Sequence, residues 1–388
     1  MGECEATMTG RGSVRILQVV GPAGMARAGL ETWLMHILRH IDRGQFRMDF
    51  MVETTQEEQG YDEEVRALGS RIIRCPPHRR LLTYARNFSR ILRDQGPYDI
   101  VHSHFHHYNG YILYLARRAG IPVRIAHSHN DFSYDDKQRG ALWRLYTQAM
   151  RRLITKNATV GLAASREAAG ALFGSTWESD LRWRVLHYGI DLKPFEFSVE
   201  QASVRAELGI PADAFVIGHV GRFYVQKNHA FLVNIAAEVA RREPKMRLLL
   251  VGDGPLRPAI EHRIARAGIA DKTIFAGVRP DVPRLMLGAM DVFALPSLFE
   301  GLPLVGIETQ AAGLPLIRSD VISPEMDVIQ PLIQRVSLTQ QVSDWAEAIL
   351  AAPSMALSIT QRAALRTMQH SHLNIDSSVE KVRHIYAG

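Results

Sequence analysis

The sequence predicts an α/β protein made of open sheets with helices packed on them, and three observations support this fold class. Short apolar runs of the buried-strand type recur along the chain, for example at residues 14–20, 216–220 and 292–295. A loop with glycine follows each run, and a segment with the apolar spacing of a helix comes next. The 388 residues, 46% of them apolar, are enough for two well-buried cores. We therefore expect two Rossmann-like domains.

The first half of the chain predicts one domain over residues 13–197, after a disordered tail at 1–12. Its first loop has glycines at 21, 24 and 29, a spacing that differs from the dinucleotide-binding pattern GxGxxG. The predicted helices are 30–40, 58–68, 81–95 and 136–157. The predicted strands are 14–20, 46–52, 71–75, 99–102, 123–127, 158–164 and 184–187.

The second half predicts another domain over residues 198–372, followed by a C-terminal helical segment at 373–388. Its predicted strands are 216–220, 248–251, 274–276 and 292–295, with one more strand ending near 319. Its predicted helices are 230–241, 304–312, 345–351, 361–369 and 378–386.

A loop at residues 297–303 joins a predicted strand directly to a predicted helix. Ligands bind at this position in open α/β sheets, because the amides of the helix N-terminus are unpaired and attract anions. Gly301 allows close approach to the backbone, and Pro303 suits a first helical turn. Glu300 and Glu308 flank the helix start, where carboxylates would repel bare phosphate and would accept hydrogen bonds from sugar hydroxyls.

The loop after the strand at 216–220 supplies the positive charge that such an anion needs. It contains Arg222 and Lys227. Arginine offers a planar fork to phosphate oxygens and lysine a point charge, and together they suit a pyrophosphate. Asp253, in a Gly-Asp-Gly-Pro turn after the next strand, is interpreted as a turn former rather than a ligand contact.

Several motifs in order resemble those of the family 4 retaining glycosyltransferases. These are Gly221-Arg222, Gln226-Lys227-Asn228, residues 251–255 (VGDGP), residues 275–277 (FAG), and Glu300 and Glu308 eight residues apart with GLP between them. The resemblance implies the GT-B arrangement, in which two Rossmann-like domains face each other across a cleft. It also implies that the last helix crosses back to the first domain. Residues 319–328 and 335–338 resemble the bacterial capsule and exopolysaccharide branch.

The resemblance implies a set of site residues. The residues expected to act on the donor sugar or its phosphates are Arg222, Lys227, Glu300 and His127, although His127 could instead be a polar strand end satisfied by backbone groups. The remaining donor-binding residues are expected to be Gly29, Gly221, Gly277, Val278, Arg279, Gly301, Leu302, Pro303, Leu304 and Glu308. Two positions depart from the family pattern, because Ala28 replaces the first of two paired glycines and Tyr188 stands where asparagine is usual.

The implied function is transfer of a hexose or N-acetylhexosamine, with retention of configuration, in capsular or exopolysaccharide biosynthesis. The donor would be a nucleotide-diphosphate sugar, most consistent with UDP from the branch, and the acceptor a lipid-linked sugar or an oligosaccharide. No metal or other cofactor is expected, because fixed cations would meet the charge that grows on the leaving phosphate. The alternative is a non-catalytic nucleotide-sugar-binding protein, because every residue named could bind without turnover. A two-carboxylate glycosidase would not need the cationic loop.

A histidine cluster in the first domain raises the alternative of a metal site. His102, His104, His106 and His107 follow a predicted strand, and a spacing of two and four residues could chelate an ion. Neither an HExxH motif nor a CxxC pair accompanies them. We therefore expect no metal.

Residues 66–156 carry an excess of positive charge, with 17 Lys and Arg against 5 Asp and Glu. The predicted helix at 136–157 has Leu142, Trp143, Leu145 and Tyr146 on its apolar side. It could pack on a core, or it could lie on an anionic membrane surface. Nucleic acid is not expected, because no matching motif is present.

With only two cysteines, no apolar run of membrane-span length and no signal-peptide core, we expect a cytoplasmic protein at the inner face of the cell membrane.

Overall fold

The computed structural model of the protein describes residues 12–21, 24–54, 60–77, 80–130 and 139–388. Residues 1–11 of the predicted tail lie outside these ranges, as do the first residues of the helices predicted at 58–68 and 136–157. No helix within the described ranges has both the length and the apolar character needed to cross a membrane.

The first domain is built on a parallel sheet of seven strands. The strands are β1 (Val14–Val20), β2 (Phe46–Val52), β3 (Ile72–Arg74), β4 (Ile100–Ser103), β5 (Val123–Ser128), β6 (Val160–Ala163) and β7 (Trp183–Val185), in the spatial order β3-β2-β1-β4-β5-β6-β7. The helices are α1 (Gly29–His40), α2 (Asp62–Ala67), α3 (Leu81–Gln95), α4 (Asn109–Arg118), α5 (Ala141–Asn157) and α6 (Arg166–Phe173). The central strands are largely apolar because helices cover both faces of the sheet, although buried polar residues such as Gln18 and His102 lie within them.

The second domain contains a parallel sheet of six strands. They are β8 (Phe215–Val220), β9 (Met246–Val251), β10 (Thr273–Gly277), β11 (Val292–Leu295), β12 (Leu316–Ser319) and β13 (Ile333–Val336), in the order β10-β9-β8-β11-β12-β13. Its helices are α7 (Gln201–Glu207), α8 (His229–Arg242), α9 (Arg257–Arg266), α10 (Val282–Gly288), α11 (Leu304–Ala311), α12 (Val342–Ala356) and α13 (Gln361–Gln369). The last helix of the chain is α14 (Ile375–Ala387).

The predicted α/β fold is confirmed, and the differences from the sequence reading concern short elements. The reading missed α4, α6, α7, α9, α10 and β13. The helices among these are ten residues or fewer, too short for a clear apolar period, and β13 is an edge strand of four residues. The last helix begins at Ile375, three residues earlier than predicted, because the side chain of Asn374 caps it by accepting a hydrogen bond from the amide of Asp376.

The C-terminal helix α14 crosses back onto the first domain, as expected. The segment before it pairs with the linker, where Ile190 N donates to Leu373 O (2.9 Å) and Ile375 N donates to Ile190 O (3.0 Å). The helix then packs beside α1. Near its end, the hydroxyl of Tyr386 accepts a hydrogen bond from Gln18 of β1 at 2.9 Å. The last residues of the chain therefore belong to the first domain in space.

Gly189 is the position where this crossing is tightest. A Cβ atom there would lie 2.2 Å from the backbone oxygen of Asn374, so neither chain segment could remain in place. We expect Gly189→Ala to lower the free energy of unfolding by about 2 kcal/mol or more in urea titrations. Gly170→Ala is the control, because a Cβ in the middle of α6 meets no atom within 4 Å. It should raise stability by about 0.5–1 kcal/mol, and equal effects of the two variants would contradict this view of the crossing.

Candidate active site

Two loops of the second domain join at the carboxyl ends of neighbouring strands. Residues 221–228 follow β8 and residues 296–303 follow β11, which pairs with β8. Leu298 N donates to Gln226 O (2.8 Å), and Asn228 Nδ2 donates to Pro296 O (3.1 Å). Asn228 has a φ of 52°, a left-handed conformation that asparagine tolerates better than most residues. The two loops therefore form one continuous surface.

Lys227 and Glu300 form a direct ion pair within this surface. Lys227 Nζ donates to Glu300 Oε1 at 2.7 Å, and the two side chains are only 15% and 6% exposed. The other oxygen, Glu300 Oε2, accepts from Gln226 Nε2 at 2.9 Å, and the same amide also donates to Phe299 O at 3.0 Å. The sequence reading gave separate roles to Lys227 and Glu300 and assigned no role to Gln226. The Gln-Lys dipeptide was visible, but only the fold shows that both side chains reach one carboxylate.

Arg222 lies in the same loop and is exposed. Its guanidinium carbon is 5.8 Å from the ring centre of Tyr224. Glu31, in the first turn of α1, is only 5% exposed, and burial raises its pKa to about 7 although the charge of Arg222 acts against this rise. The charge of a cation in the second domain therefore acts on a carboxyl group of the first. The sequence reading did not select Glu31, although the glutamate two residues after Gly29 was the available signal.

Glu308 lies on α11, about one turn inside the helix, and is partly exposed. Burial raises the pKa of its carboxyl to about 7, because few polar groups solvate the charge. Among the hydrogen bonds of the described residues, none involves its side chain. The carboxyl is therefore available to accept hydrogen bonds from a ligand.

The predicted loop 301–304 lies directly against the first domain. A Cβ on Gly301 would be 1.8 Å from the backbone oxygen of His129, so only glycine allows this approach. Pro303 is the N-cap residue of α11, and Leu302 and Leu304 are each 6% exposed. The side chains of these leucines pack inward, so this segment would present backbone groups to a ligand.

Two other predicted glycines lie at the edges of the cleft. Gly29 begins α1, and a Cβ there would meet nothing within 4 Å. Gly221 directly follows β8, and a Cβ there would lie 3.1 Å from the side chain of Lys227. Gly252, with φ of 132°, brings its α-carbon against Gly221 O. The neighbouring Asp253 caps its own turn by accepting from Gly254 N at 2.7 Å, which agrees with a turn-forming role.

The chain turns at the end of β10, and the arginine in this turn is already paired with carboxylates. Gly277 has a φ of 67°, and Val278 beside it is 56% exposed. Arg279 donates to Asp281 Oδ1 at 2.7 Å and to Glu207 Oε1 at 2.9 Å, and these carboxylates raise its pKa. Its charge is already balanced, so any contact of this segment with a ligand would come from Val278 or the backbone.

His127 lies fully buried at the end of β5, on the opposite side of the cleft. Its Nδ1 is 3.0 Å from His102 Nε2, and its Nε2 is 3.3 Å from the hydroxyl of Tyr188. Trp33 covers it edge-on, with ring centres 5.4 Å apart, and stacks on Tyr188 at 4.4 Å. Burial lowers the pKa of His127 well below its ordinary value, so the imidazole is neutral. Both ring nitrogens are engaged by side chains.

The histidine cluster expected from the sequence is divided by the fold. His106 and His107 lie in a short 3₁₀ turn, His106–Tyr108, whereas His102 and His104 point towards β5. Among the described residues, the group that could hold a metal ion is His102, His104 and His127, whose ligand nitrogens lie within 4.8 Å of one another. Every ring nitrogen of these three already has a hydrogen-bond partner. A metal ion would have to displace at least one of these bonds.

Comparisons with known proteins identify the family. The family model described as Glycosyltransferase Family 4 matches residues 27–193, and the model described as Glycosyl transferases group 1 matches residues 214–353. A protein named glycosyltransferase EpsF, from Bacillus subtilis (strain 168), is 39% identical over 340 residues, which are 86% of each chain. The chain belongs to glycosyltransferase family 4. It is accordingly a transferase related to EpsF.

Other relatives of this family 4 glycosyltransferase are more distant. The UDP-Gal:alpha-D-GlcNAc-diphosphoundecaprenol alpha-1,3-galactosyltransferase of Escherichia coli is 28% identical over 58% of each chain. Among solved structures, Anabaena Alr3699/HepE in complex with UDP and glucose has a TM-score of 0.77 at 17% identity, covering 97% of this chain and 100% of its own. WaaG, a glycosyltransferase involved in lipopolysaccharide biosynthesis, also has a TM-score of 0.77 at 17% identity, covering 96% and 100%. These likenesses establish the GT-B fold.

The Lys227–Glu300 pair should contribute to the stability of the glycosyltransferase before any ligand binds. We expect Lys227→Met and Glu300→Gln each to destabilise the protein, and the double variant to be more stable than the sum of the two losses predicts. The coupling should be about 1–3 kcal/mol in urea unfolding, because the pair is largely shielded from water. The control is the exposed pair of Lys245 and Asp213 (2.7 Å), whose coupling should be much smaller. Similar coupling in both cycles would contradict a special role for the buried pair.

Proposed function

We propose that this family 4 glycosyltransferase moves a hexose or N-acetylhexosamine from a UDP-sugar to a lipid-linked or oligosaccharide acceptor, with retention of configuration. Residues 13–197 would hold the acceptor, residues 198–372 the donor, and 373–388 would complete the first domain. The observation that carries the proposal is the joined surface of loops 221–228 and 296–303, where Lys227 and Glu300 lie 2.7 Å apart. A cation and a carboxylate thus lie side by side just before the helix N-terminus, an arrangement that would suit a sugar diphosphate.

The donor diphosphate would be held by charge from the protein. As the glycosidic bond breaks, negative charge grows on the departing phosphate, and Arg222, Lys227 and the amides at the start of α11 would stabilise it. Glu300, once the donor is bound, would accept hydrogen bonds from the hexose hydroxyls. The leaving phosphate would take the proton of the acceptor hydroxyl, so no protein base is required. We propose that this chemistry needs no metal ion.

The nucleotide would lie between α11 and the end of β10. Glu308 would accept hydrogen bonds from both ribose hydroxyls, and the backbone of Gly277, Val278 and Arg279 would contact the base. The choice of UDP is supported by two similar proteins, the HepE structure that contains UDP and glucose and the E. coli enzyme whose name specifies UDP-Gal. The name of the same E. coli enzyme specifies a diphosphoundecaprenol acceptor, which supports a lipid-linked sugar here. The likeness to EpsF supports a role in exopolysaccharide or capsule biosynthesis.

Thermal-shift titrations with UDP, GDP and ADP, with and without chelator, test the donor site. We expect UDP to raise Tm most, and the shift to survive chelator. Glu308→Gln should weaken UDP binding about tenfold at pH 8, because an amide accepts one ribose hydroxyl less well than a carboxylate accepts two. Protonation abolishes the carboxylate, so the advantage of the wild type over Glu308→Gln should shrink as pH falls through about 7.

A transfer assay separates a transferase from a protein that only binds nucleotide sugars. In a transfer assay with a UDP-sugar, Lys227→Ala should lower kcat more than it raises KM, because the charge acts mainly on the departing phosphate.

In the thermal-shift titrations, no shift with any nucleotide would overturn the donor assignment. A shift that vanishes with chelator would overturn the metal-free chemistry and would direct attention to His102, His104 and His127.

We also propose that the enzyme acts in the cytoplasm, at the inner face of the cell membrane, and that the basic segment 66–156 contacts the anionic lipid. One side of α5 packs on α4, where a Cβ on Gly110 would lie 3.0 Å from the Cβ of Leu153. The start of the same helix carries Leu142 and Leu145, which are 86% and 64% exposed. Leu81 and Leu82, which begin α3, are 54% and 75% exposed. Exposed leucines among arginines favour an anionic bilayer over a soluble partner.

Vesicle sedimentation tests the membrane surface. The protein should bind vesicles that contain phosphatidylglycerol and not vesicles of phosphatidylcholine alone, and salt should weaken the binding. Leu142→Ser with Leu145→Ser should reduce binding at least about tenfold, because two apolar side chains no longer insert. Leu357→Ser is the matched control, since Leu357 is 89% exposed in the second domain and should not contact lipid. Equal loss in the control, or equal binding to both vesicles, would contradict the proposal.

A further inference from the structure

Seven side chains beneath the cleft form a closed ring of hydrogen bonds, here called the histidine ring. Six of its members are buried and His129 is partly exposed. They come from β1, from β4 and β5 and the residues just after each of these strands, from the linker after β7 and from α14. In order around the ring they are Gln18, Tyr386, His102, His127, Tyr188, His129 and His104, and His104 returns to Gln18.

The distances around the ring allow a bond at every step. Gln18 Nε2 lies 2.9 Å from the Tyr386 hydroxyl, which lies 2.8 Å from His102 Nδ1. His129 Nδ1 contacts the Tyr188 hydroxyl, and His129 Nε2 is 2.9 Å from His104 Nδ1. His104 Nε2 closes the ring at 2.8 Å from Gln18 Oε1. The His127 bonds complete the set, and its bond to Tyr188, at 3.3 Å, is the longest of the distances given.

The histidines of the ring are neutral, because burial lowers their pKa values well below the ordinary range. A neutral imidazole has one N–H donor and one acceptor nitrogen, and a hydroxyl has one hydrogen to donate. All the hydrogens of a closed ring of such groups must therefore point the same way round. The ring has two possible directions, and each direction fixes one tautomer for all four histidines.

Met48 of β2 decides between the two directions. Its Sδ lies 3.3 Å from Gln18 Nε2. A thioether has no hydrogen to donate, so only the NH₂ end of the Gln18 amide can bond to it. The amide oxygen must then point to His104, which carries its hydrogen on Nε2. From there every step is determined, and each of the four histidines has Nε2–H and accepts at Nδ1.

We propose that Gln18 is a positioning residue that sets the direction of hydrogen bonding around the histidine ring and so holds His127 in the Nε2–H tautomer. Gln18 acts through three intermediate side chains on one path and two on the other, and it contacts no ligand itself. The consequence for sugar transfer rests on the proposed function and on the donor contact that the family resemblance implies for His127. The tautomer itself does not depend on that function.

The tautomers can be measured in the full-length protein by long-range ¹H–¹⁵N correlation spectra with ¹⁵N-labelled histidine. The chain has 16 histidines, and spectra of His127→Asn and His102→Asn would assign the two central signals. We expect both residues to be in the Nε2–H form alone in the wild type. An Nδ1–H form, or a mixture, at His127 in the wild type would overturn the proposal without recourse to any variant of Gln18.

Gln18→Met removes both ends of the amide at nearly constant length. The chain of groups that remains, from Tyr386 to His104, has no fixed direction, so His102 and His127 should show both tautomers. Tyr386→Phe is the discriminating partner, because it also breaks the ring but keeps the amide oxygen that directs His104. It should retain the Nε2–H form at both histidines. Retention in Gln18→Met, or mixing in Tyr386→Phe, would overturn the role of Gln18.

Met48→Leu is a milder test should Gln18→Met fail to fold. It removes the sulfur and conserves volume, so the amide can turn over and the ring can adopt both directions. Mixed tautomers are expected, and retention would show that Met48 does not fix the amide. Gln45→Glu, an exposed change in the same domain, should leave the spectra unchanged.

In the transfer assay, Gln18→Met should lower kcat about tenfold with little change in KM, because a misdirected group near the reacting atoms is costly. If the wild type is inactive in the transfer assay but gives the expected spectra, the proposed function is contradicted and the tautomer assignment still holds.

Discussion

Polar groups buried beneath the cleft must all find hydrogen-bond partners, and this requirement organises the centre of the molecule. Strand ends that would otherwise bury unpaired imidazoles are joined through the histidine ring, so β1, β4 and β5 end in fixed positions. Gly301 of the second domain packs directly on the backbone of His129, a ring member. The position of the donor loop against the first domain therefore depends on a network in which no single bond can change direction alone.

The same requirement explains why the chain returns to its first domain. The ring is closed only because α14 supplies the Tyr386 hydroxyl and the linker supplies the Tyr188 hydroxyl. The linker is held further by Glu325 of the second domain, which lies 2.7 Å from His187 Nε2 and accepts from the backbone amide of Arg166. The crossing segment thus joins the two domains through specific bonds as well as through apolar packing. A hinge at this place would have to break them together.

Charge in the cleft is balanced before a ligand arrives. Lys227 is neutralised by Glu300, and Gln226 orients that carboxylate. The charge of Arg222 acts on Glu31 of the first domain, and burial raises the pKa of Glu31 and of Glu308 to about 7. Such carboxyls are already largely removed from water, and they accept hydrogen bonds strongly once they are ionised. A preorganised arrangement of this kind needs little rearrangement when negative charge enters it.

The sequence by itself determined the α/β fold class, most of the strands and the approximate places of both loops of the candidate site. It could do so because buried strands, glycine loops and amphipathic helices have local patterns, and because Arg222, Lys227, Glu300 and Glu308 lie within those patterns. Only the tertiary structure decided which groups meet. The pairing of Lys227 with Glu300, the approach of Gly301 to His129 and the ring that joins Gln18 to Tyr386 span 73, 172 and 368 positions of the sequence. Contacts over such separations depend on strand order and chain crossing, which no local pattern records.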